Sequence, residues 1–247
     1  MKWAMLLIVF LGVVIAFLLS PLFNIKQINI LNNQKITYEE AISLAQIPVE
    51  QNIFGVNRKK ITENIKQNPY VDRVKITKTL PNTLNIEIVE RQEEYILEFA
   101  NGFICIDSKG YVLRVTNERP EFPILKGIST PIENIININQ EDVVPSISQN
   151  RLSNEDVEKI KVVHKIVQAA RNNEILNYVT SIDITNKSNI VLNLDTEGKV
   201  AYLGDGSNAN TRILYLKVML EKRSGIQGEA FINGDLNTFK PYFREKV

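Results

Sequence analysis

At 247 residues the chain has room for one large domain or two small ones. Its 29 Lys and Arg nearly offset its 28 Asp and Glu, so bulk charge does not mark a nucleic-acid binder, and 44% hydrophobic residues rule out wholesale disorder. One cysteine, Cys105, and one histidine, His164, exclude an intrachain disulfide framework and a Cys/His metal site.

Between Lys2 and Lys26 runs a stretch of 23 uncharged residues, "WAMLLIVFLGVVIAFLLSPLFNI". As one helix it would measure about 34 Å, against roughly 30 Å of bilayer hydrocarbon. It exceeds the ~7–15 residues of a secretory core segment, and no Ala-x-Ala site follows it. The expectation is an N-terminal single transmembrane helix. Residues 1–2 would be a cytoplasmic tail and 3–23 a signal anchor, with the rest extracytoplasmic in a single-pass type II arrangement at the cell membrane.

"FNIKQINIL" then reads as a strand, and Thr37 with Glu40 forms a capping box that opens a helix bearing Ala41, Leu44 and Ala45. A second helix fits "NRKKITENIKQ", with Ile61 and Ile65 one turn apart, and must stop before Pro69. Val74 and Ile76 face the same way on a following strand, as do Leu84, Ile86 and Ile88 on its partner. "TLPNT" supplies the turn between them. Residues 24–92 thus read β-α-α-β-β, two helices covering one face of a three-stranded sheet.

From residue 93 the texture changes to short strands, with turns at Asn101-Gly102 and Lys109-Gly110, and "EFPILKG" continues extended. Residues 128–150, with Pro131 and Pro145, read as loop. A helix follows, capped by Ser153 and Asp156 and striped by Val157, Ile160, Val163, Val167 and Ala170. Three strands come next, turning at Asn186-Lys187 and Glu197-Gly198, then a helix over "ANTRILYLKVMLEKR". A final strand and an aromatic tail end the chain. The fold class is α+β, with a β-rich region and flanking helices over 93–228 and the last strand and tail over 229–247.

No catalytic constellation emerges. His164 lies in a helix among ordinary surface charges, and Cys105 reads as a small buried hydrophobe with no cation beside it. "LGDGSNANTR" resembles part of a phosphate loop but lacks the third glycine and the Lys-Ser/Thr ending. Asp205, Ser207 or Asn208 reads better as a helix cap. Glu93-Glu94 and Glu141-Asp142 read as solvated charges. Seven basic residues, Arg58, Lys59, Lys60, Lys66, Arg73, Lys75 and Lys78, stand against Glu63 and Asp72, a local excess of 7 − 2 = +5. That excess suits an acidic partner or anionic lipid, with a plain solvated face as the competing reading.

The order anchor, β-α-α-β-β, β-rich region resembles the FtsQ/DivIB division proteins, whose first extracytoplasmic domain is a POTRA (polypeptide-transport-associated) domain. The family's signature is matched by Pro69, Tyr70, Val71, Val74, Ile76, Lys78, Pro81, Thr83, Leu84, Ile86, Ile88, Glu90 and Arg91. "FICIDSKGYVL", "FPILKG", "VTSIDI" and "VAYLGDG" match its second, β domain. Gln92-Glu93 replaces the proline that often follows Glu-Arg, and Asn32-Asn33 replaces a Gly-Asn turn.

The resemblance implies a POTRA domain over 24–92, a β domain over 93–228, and a non-catalytic scaffold without a cofactor. Its implied partners are the FtsL-like and FtsB/DivIC-like division proteins and, through them, the septal peptidoglycan synthase complex, with the protein concentrated at the division septum. In that family the last strand region of the β domain receives a partner segment by strand addition. Phe231, Ile232, Phe239, Tyr242 and Phe243, with Lys187 and Tyr202 nearby, are the implied surface; core packing is the competing role for the aromatics. Ile28, Ile30, Arg58, Lys59, Lys60, Arg73, Lys75 and Lys78 form a possible second docking face. The alternative function is a POTRA-type protein-transport or outer-membrane assembly component, which would need repeats or a barrel. A membrane-anchored extracytoplasmic enzyme would need catalytic groups that the sequence does not offer.

Overall fold

Apolar residues alternating along two neighbouring strands organise the first of two compact units, Met1–Arg91. The computed structural model describes residues 2–48, 50–100, 102–137, 146–147, 151–194 and 198–246. Strands β1 (Gln27–Leu31), β2 (Val71–Thr79) and β3 (Thr83–Glu90) form a sheet in the order β1-β3-β2, with α1 (Lys2–Leu18) preceding them. Helices α2 (Tyr38–Ala45) and α3 (Arg58–Ile65) cover one face. Ala41, Ala45, Ile61 and Ile65 meet Val71, Ile76, Leu84, Ile86 and Ile88 in one buried cluster. β1 runs parallel to β3 and β2 antiparallel to it, so β3 is central and its inward residues are fully buried.

Local chemistry starts each helix. Thr37 Oγ1 accepts the Glu40 N–H at 3.1 Å, and Asn57 Oδ1 accepts the Lys60 N–H at 3.1 Å. Only half of the expected capping box forms at α2, because the Glu40 carboxylate accepts instead from Asn68 Nδ2 at 2.7 Å.

The expected transmembrane helix is corrected. Among the described residues no helix is long and apolar enough to cross a membrane. α1 has 17 residues, about 25 Å of helix, short of the ~30 Å hydrocarbon. The apolar run outlasts the helix because Ser20, ahead of Pro21, is extended and a short 3-10 turn follows at Pro21–Phe23. The Leu18 carbonyl accepts from Asn52 Nδ2 at 2.9 Å, and Phe23 packs between Phe17 and Phe54.

The second unit, Gln92–Val247, is built on one nine-stranded sheet. Strands β4 (Tyr95–Phe99), β5 (Gly102–Ile106) and β6 (Val112–Thr116) form a meander, and β7 (Ile124–Lys126) lies beside β4. α4 (Ile132–Ile135) and the small pair β8 (Ile136–Asn137) and β9 (Ser146–Ile147) occupy part of the stretch expected to be loop. Pro145, Glu141-Asp142 and the turn residues Asn101 and Glu197 lie outside the described residues. α5 (Asn154–Asn172) leads to β10 (Val179–Asp183), β11 (Val191–Leu194) and β12 (Lys199–Tyr202). α6 (Ala209–Lys222) carries the chain over to β13 (Gly228–Phe231), parallel to β12, and β14 (Tyr242–Glu245) folds back antiparallel. The sheet order is β14-β13-β12-β11-β10-β7-β4-β5-β6.

Every residue of the expected α5 stripe is buried, and Ile160, Val163, Val167 and Ala170, joined by Ile166 and Ala169, share one cluster with Leu192, Ala201, Ile213, Leu216 and Ala230. The glycine-rich turn before α6 is shaped by packing. Gly206 has φ +77°, and a Cβ there would lie 2.6 Å from a Val162 methyl. The expected side-chain cap is absent from α6: Asn208, the residue just before the helix, is left-handed and makes no capping hydrogen bond. Asp205 instead accepts the Ser207 N–H at 2.9 Å within the turn.

Candidate docking edge

The tail expected after the last strand is itself a strand, so the sheet ends at β14. Tyr202, Phe231 and Tyr242 stand directly opposite one another on β12, β13 and β14. Being in register, they share one face, and their rings stack in series. Tyr202 and Phe231 are 4.9 Å apart at 15°, Phe231 and Tyr242 4.9 Å apart at 16°. Phe239 leans on Tyr242 at 6.0 Å. The outer ring, Tyr242, is 49% exposed and ends the ladder at the free edge.

Charge frames the ladder on the same face. Tyr202 Oη donates to Glu229 Oε1 at 3.0 Å, and Arg244 Nε donates to Glu229 Oε2 at 2.9 Å. The Arg244 guanidinium lies 5.0 Å above the Phe231 ring. Hydrogen bonds from Arg244 and Tyr202 hold the Glu229 carboxyl below its ordinary pKa, while burial and then Glu229 push the Tyr202 phenol up.

Residues behind the ladder fix the hairpin. Ile232 is fully buried and Phe243 packs on the core. A Cβ at Gly228 would collide with the Arg244 carbonyl and lie 2.7 Å from the Phe243 ring, so only glycine lets β14 approach β13 so closely. From α6, buried Arg212 donates to the carbonyls of Ser207 at 2.7 Å, Gly234 at 3.1 Å and Ile232. Thus Tyr202, Phe231, Phe239 and Tyr242 come together on or beside one face, while Ile232 and Phe243 lie behind it. Lys187 does not join them: it sits in the β10–β11 loop and pairs with Glu155 of α5 at 3.1 Å.

Sequence reasoning missed Glu229, Arg244 and Arg212. Alternation was the available signal for the first two, since Glu229 precedes Phe231 and Arg244 follows Tyr242 by two positions.

The possible second face divides in two. Ile28 and Ile30 are partly buried against the core of the first unit. Lys78 follows Ile76 on the helix-covered face, and burial and then Arg58 lower its pKa, so these two cations are neighbours near Lys59 and Lys60. Arg73 and Lys75 alternate onto the opposite face, beside Asp72 at 3.8 Å and Glu87 at 3.4 Å.

The remaining candidates are structural. Cys105 is fully buried, and His164 sits 3.5 Å from the phenol of buried Tyr95. Glu93 and Glu94 are not free solvated charges. Arg114 grips buried Glu93 at 2.8 and 3.2 Å, and Arg171 holds Glu94 at 3.0 Å. Among the described residues no group of three or more His, Cys, Asp or Glu could hold a metal ion.

Comparison with known proteins adds a family. Residues 23–91 match the POTRA domain, FtsQ-type. The chain is 31% identical to cell division protein DivIB of Clostridium botulinum (strain Hall) over 186 residues, 75% of the chain and 68% of the relative. It is 40% identical over 93 residues to DivIB of Clostridium tetani, 38% of the chain and 35% of that relative. With cell division protein FtsQ of Geotalea daltonii it shares 30% identity over 113 residues, 44% of the chain and 40% of that relative.

Proposed function

The chain belongs to the FtsQ/DivIB family of cell division proteins, and from that premise we propose that it is a non-catalytic scaffold of the bacterial divisome. In this reading it binds FtsL-like and FtsB/DivIC-like proteins, gathers with them at the division septum, and regulates septal peptidoglycan synthesis through them. The supporting observation is the free edge at β14. An edge strand offers unpaired backbone groups, and here it ends an aromatic ladder whose last ring is half-exposed. A partner strand added there would gain main-chain hydrogen bonds and shelter Tyr242 from water. The POTRA match is of the FtsQ type, so the transport alternative has no support of its own.

The test is co-purification of the full chain with FtsL-like and DivIC-like proteins. Phe239→Ala with Tyr242→Ala should weaken recovery of the partners while the fold, read by circular dichroism, persists. Undiminished recovery would refute the edge as the docking site. Midcell gathering of a fluorescent fusion tests the division role separately.

A further inference from the structure

One end of the first unit gathers three segments that lie far apart in the sequence. The Asn52 side chain holds the Leu18 carbonyl, the Ile25 N–H donates to the Gln51 carbonyl at 2.9 Å, and the Lys26 N–H donates to the Asn82 carbonyl at 3.0 Å. The exit from α1, the turn into α3 and the β2–β3 turn therefore meet at this end. Leu19 there is 66% exposed and Leu80 57%, while Leu22 and Phe54 are close to half-exposed. α1, which has no buried residue, leaves from the same end.

Charge at this end is uneven. Lys26 is exposed, as are Arg58, Lys59 and Lys60 in the first turn of α3, and Lys78 lies close enough to Arg58 to feel its charge. Against these five cations the same segments bring Glu50, and Glu63 follows one turn along α3, where Lys59 reaches it at 3.9 Å. Among the described residues no ion pair engages Lys26, Arg58, Lys60 or Lys78. Elsewhere on the sheet, by contrast, Arg73 and Arg91 pair with Asp72, and Lys75 with Glu87. The first turn of α3 holds three cations and no acid, although the positive end of a helix dipole disfavours cations. Such crowding costs stability in the free chain and is relieved against an anionic surface.

An acidic peptide would answer the charges alone. A bilayer surface answers both halves of the pattern: phosphate headgroups meet the cations, and the apolar side chains enter the layer beneath. We propose that this end of the first unit, with Lys26, Arg58, Lys60 and Lys78 beside Leu22, Phe54 and Leu80, docks on an anionic lipid surface. The contact is with the face of the bilayer, needs no helix that crosses it, and does not rest on strand addition at β14.

The probes are vesicles of phosphatidylcholine alone and vesicles with phosphatidylglycerol added, each mixed with the full chain. Backbone hydrogen exchange is the local readout, which separates this surface from any association through α1. Exchange at Phe54–Lys60 and at Asn82–Thr83 should slow on the phosphatidylglycerol vesicles and not on phosphatidylcholine. Lys26→Gln, Arg58→Gln and Lys78→Gln should each weaken affinity for the anionic vesicles about fivefold. Combined, they should abolish the slowing while the circular dichroism melt without vesicles stays unchanged. Leu22→Gln with Leu80→Gln should also reduce the slowing, because the apolar side chains share the contact. Equal slowing on both vesicles, no slowing on either, or indifference to either set of substitutions would overturn the proposal. So would polyglutamate slowing the same segments while phosphatidylglycerol does not, because the face would then serve an acidic protein.

Discussion

Asp156 holds Thr130 twice: its carboxylate accepts the threonine backbone N–H at 2.8 Å and the hydroxyl at 2.5 Å. It also accepts the Ser129 N–H at 2.8 Å and the Ser153 hydroxyl at 3.0 Å, tying the irregular segment after β7 to the start of α5. Burial alone would raise its pKa, but these hydrogen bonds outweigh burial and bring it down to about 2. Replacement by Ala leaves buried donors unpaired and should cost about 3 kcal/mol. The native pKa lies below the unfolded value of about 3.9, so the stabilisation is complete above that value and drains as pH falls toward about 2. Thermal melts of the wild type and Asp156→Asn should therefore differ clearly at pH 7 and converge near pH 2.

Glu90 should be as important to the first unit. Its carboxylate accepts the backbone N–H groups of Gln34, Lys35 and Ile36 at 2.9–3.0 Å, closing the loop between β1 and α2. Glu90→Ala should cost about 2 kcal/mol in urea unfolding, and Glu90→Gln less, since an amide oxygen still accepts. Hydrogen exchange at Ile36 should quicken in both.

Seating of β14 should depend on residues outside it. Gly228→Ala should push β14 off β13, and Arg212→Ala should free the bend at Ile232 and Gly234. Both should render Arg244 sensitive to trypsin, while Tyr242→Ala, at a half-exposed position, should not. Equal resistance of all three variants would show that β14 is held by other means.

Cys105 should resist thiol reagents in the folded chain and react only on unfolding, since its side chain is fully buried. Labelling in urea should follow the loss of the second unit's circular dichroism signal.

Much of this could be read in the sequence where one rule governed one segment. The period-2 pattern of Val74, Ile76, Leu84, Ile86 and Ile88 marked the hairpin, and the 3.6 pattern from Val157 to Ala170 marked α5. What escaped was non-local or competitive. β14 is too short for its alternation to stand out, and its place depends on a parallel crossover through α6. Glu90 meets partners more than fifty residues away, and Glu40 prefers Asn68 to its own helix start. The apolar run overstated α1 because composition continues past Leu18 while the backbone, approaching Pro21, does not. Of the implied docking residues, the ladder aromatics share one place because register gathers them, and Lys187 stands elsewhere because its loop faces α5.

The parallel pairing of β1 with β3 also bears on how the first unit is made. Gln27 has Thr83 as its partner, so the first strand to leave the ribosome has nothing to pair with until the last strand of the unit follows. Such high contact order makes folding slow, because a long loop must close before any strand pairing rewards it. The closing residue, Glu90, comes at the very end of that strand and ties down a loop next to the beginning. A nascent chain halted before residue 83 would therefore expose an unmatched strand, and one halted before residue 90 would leave the loop between β1 and α2 untied.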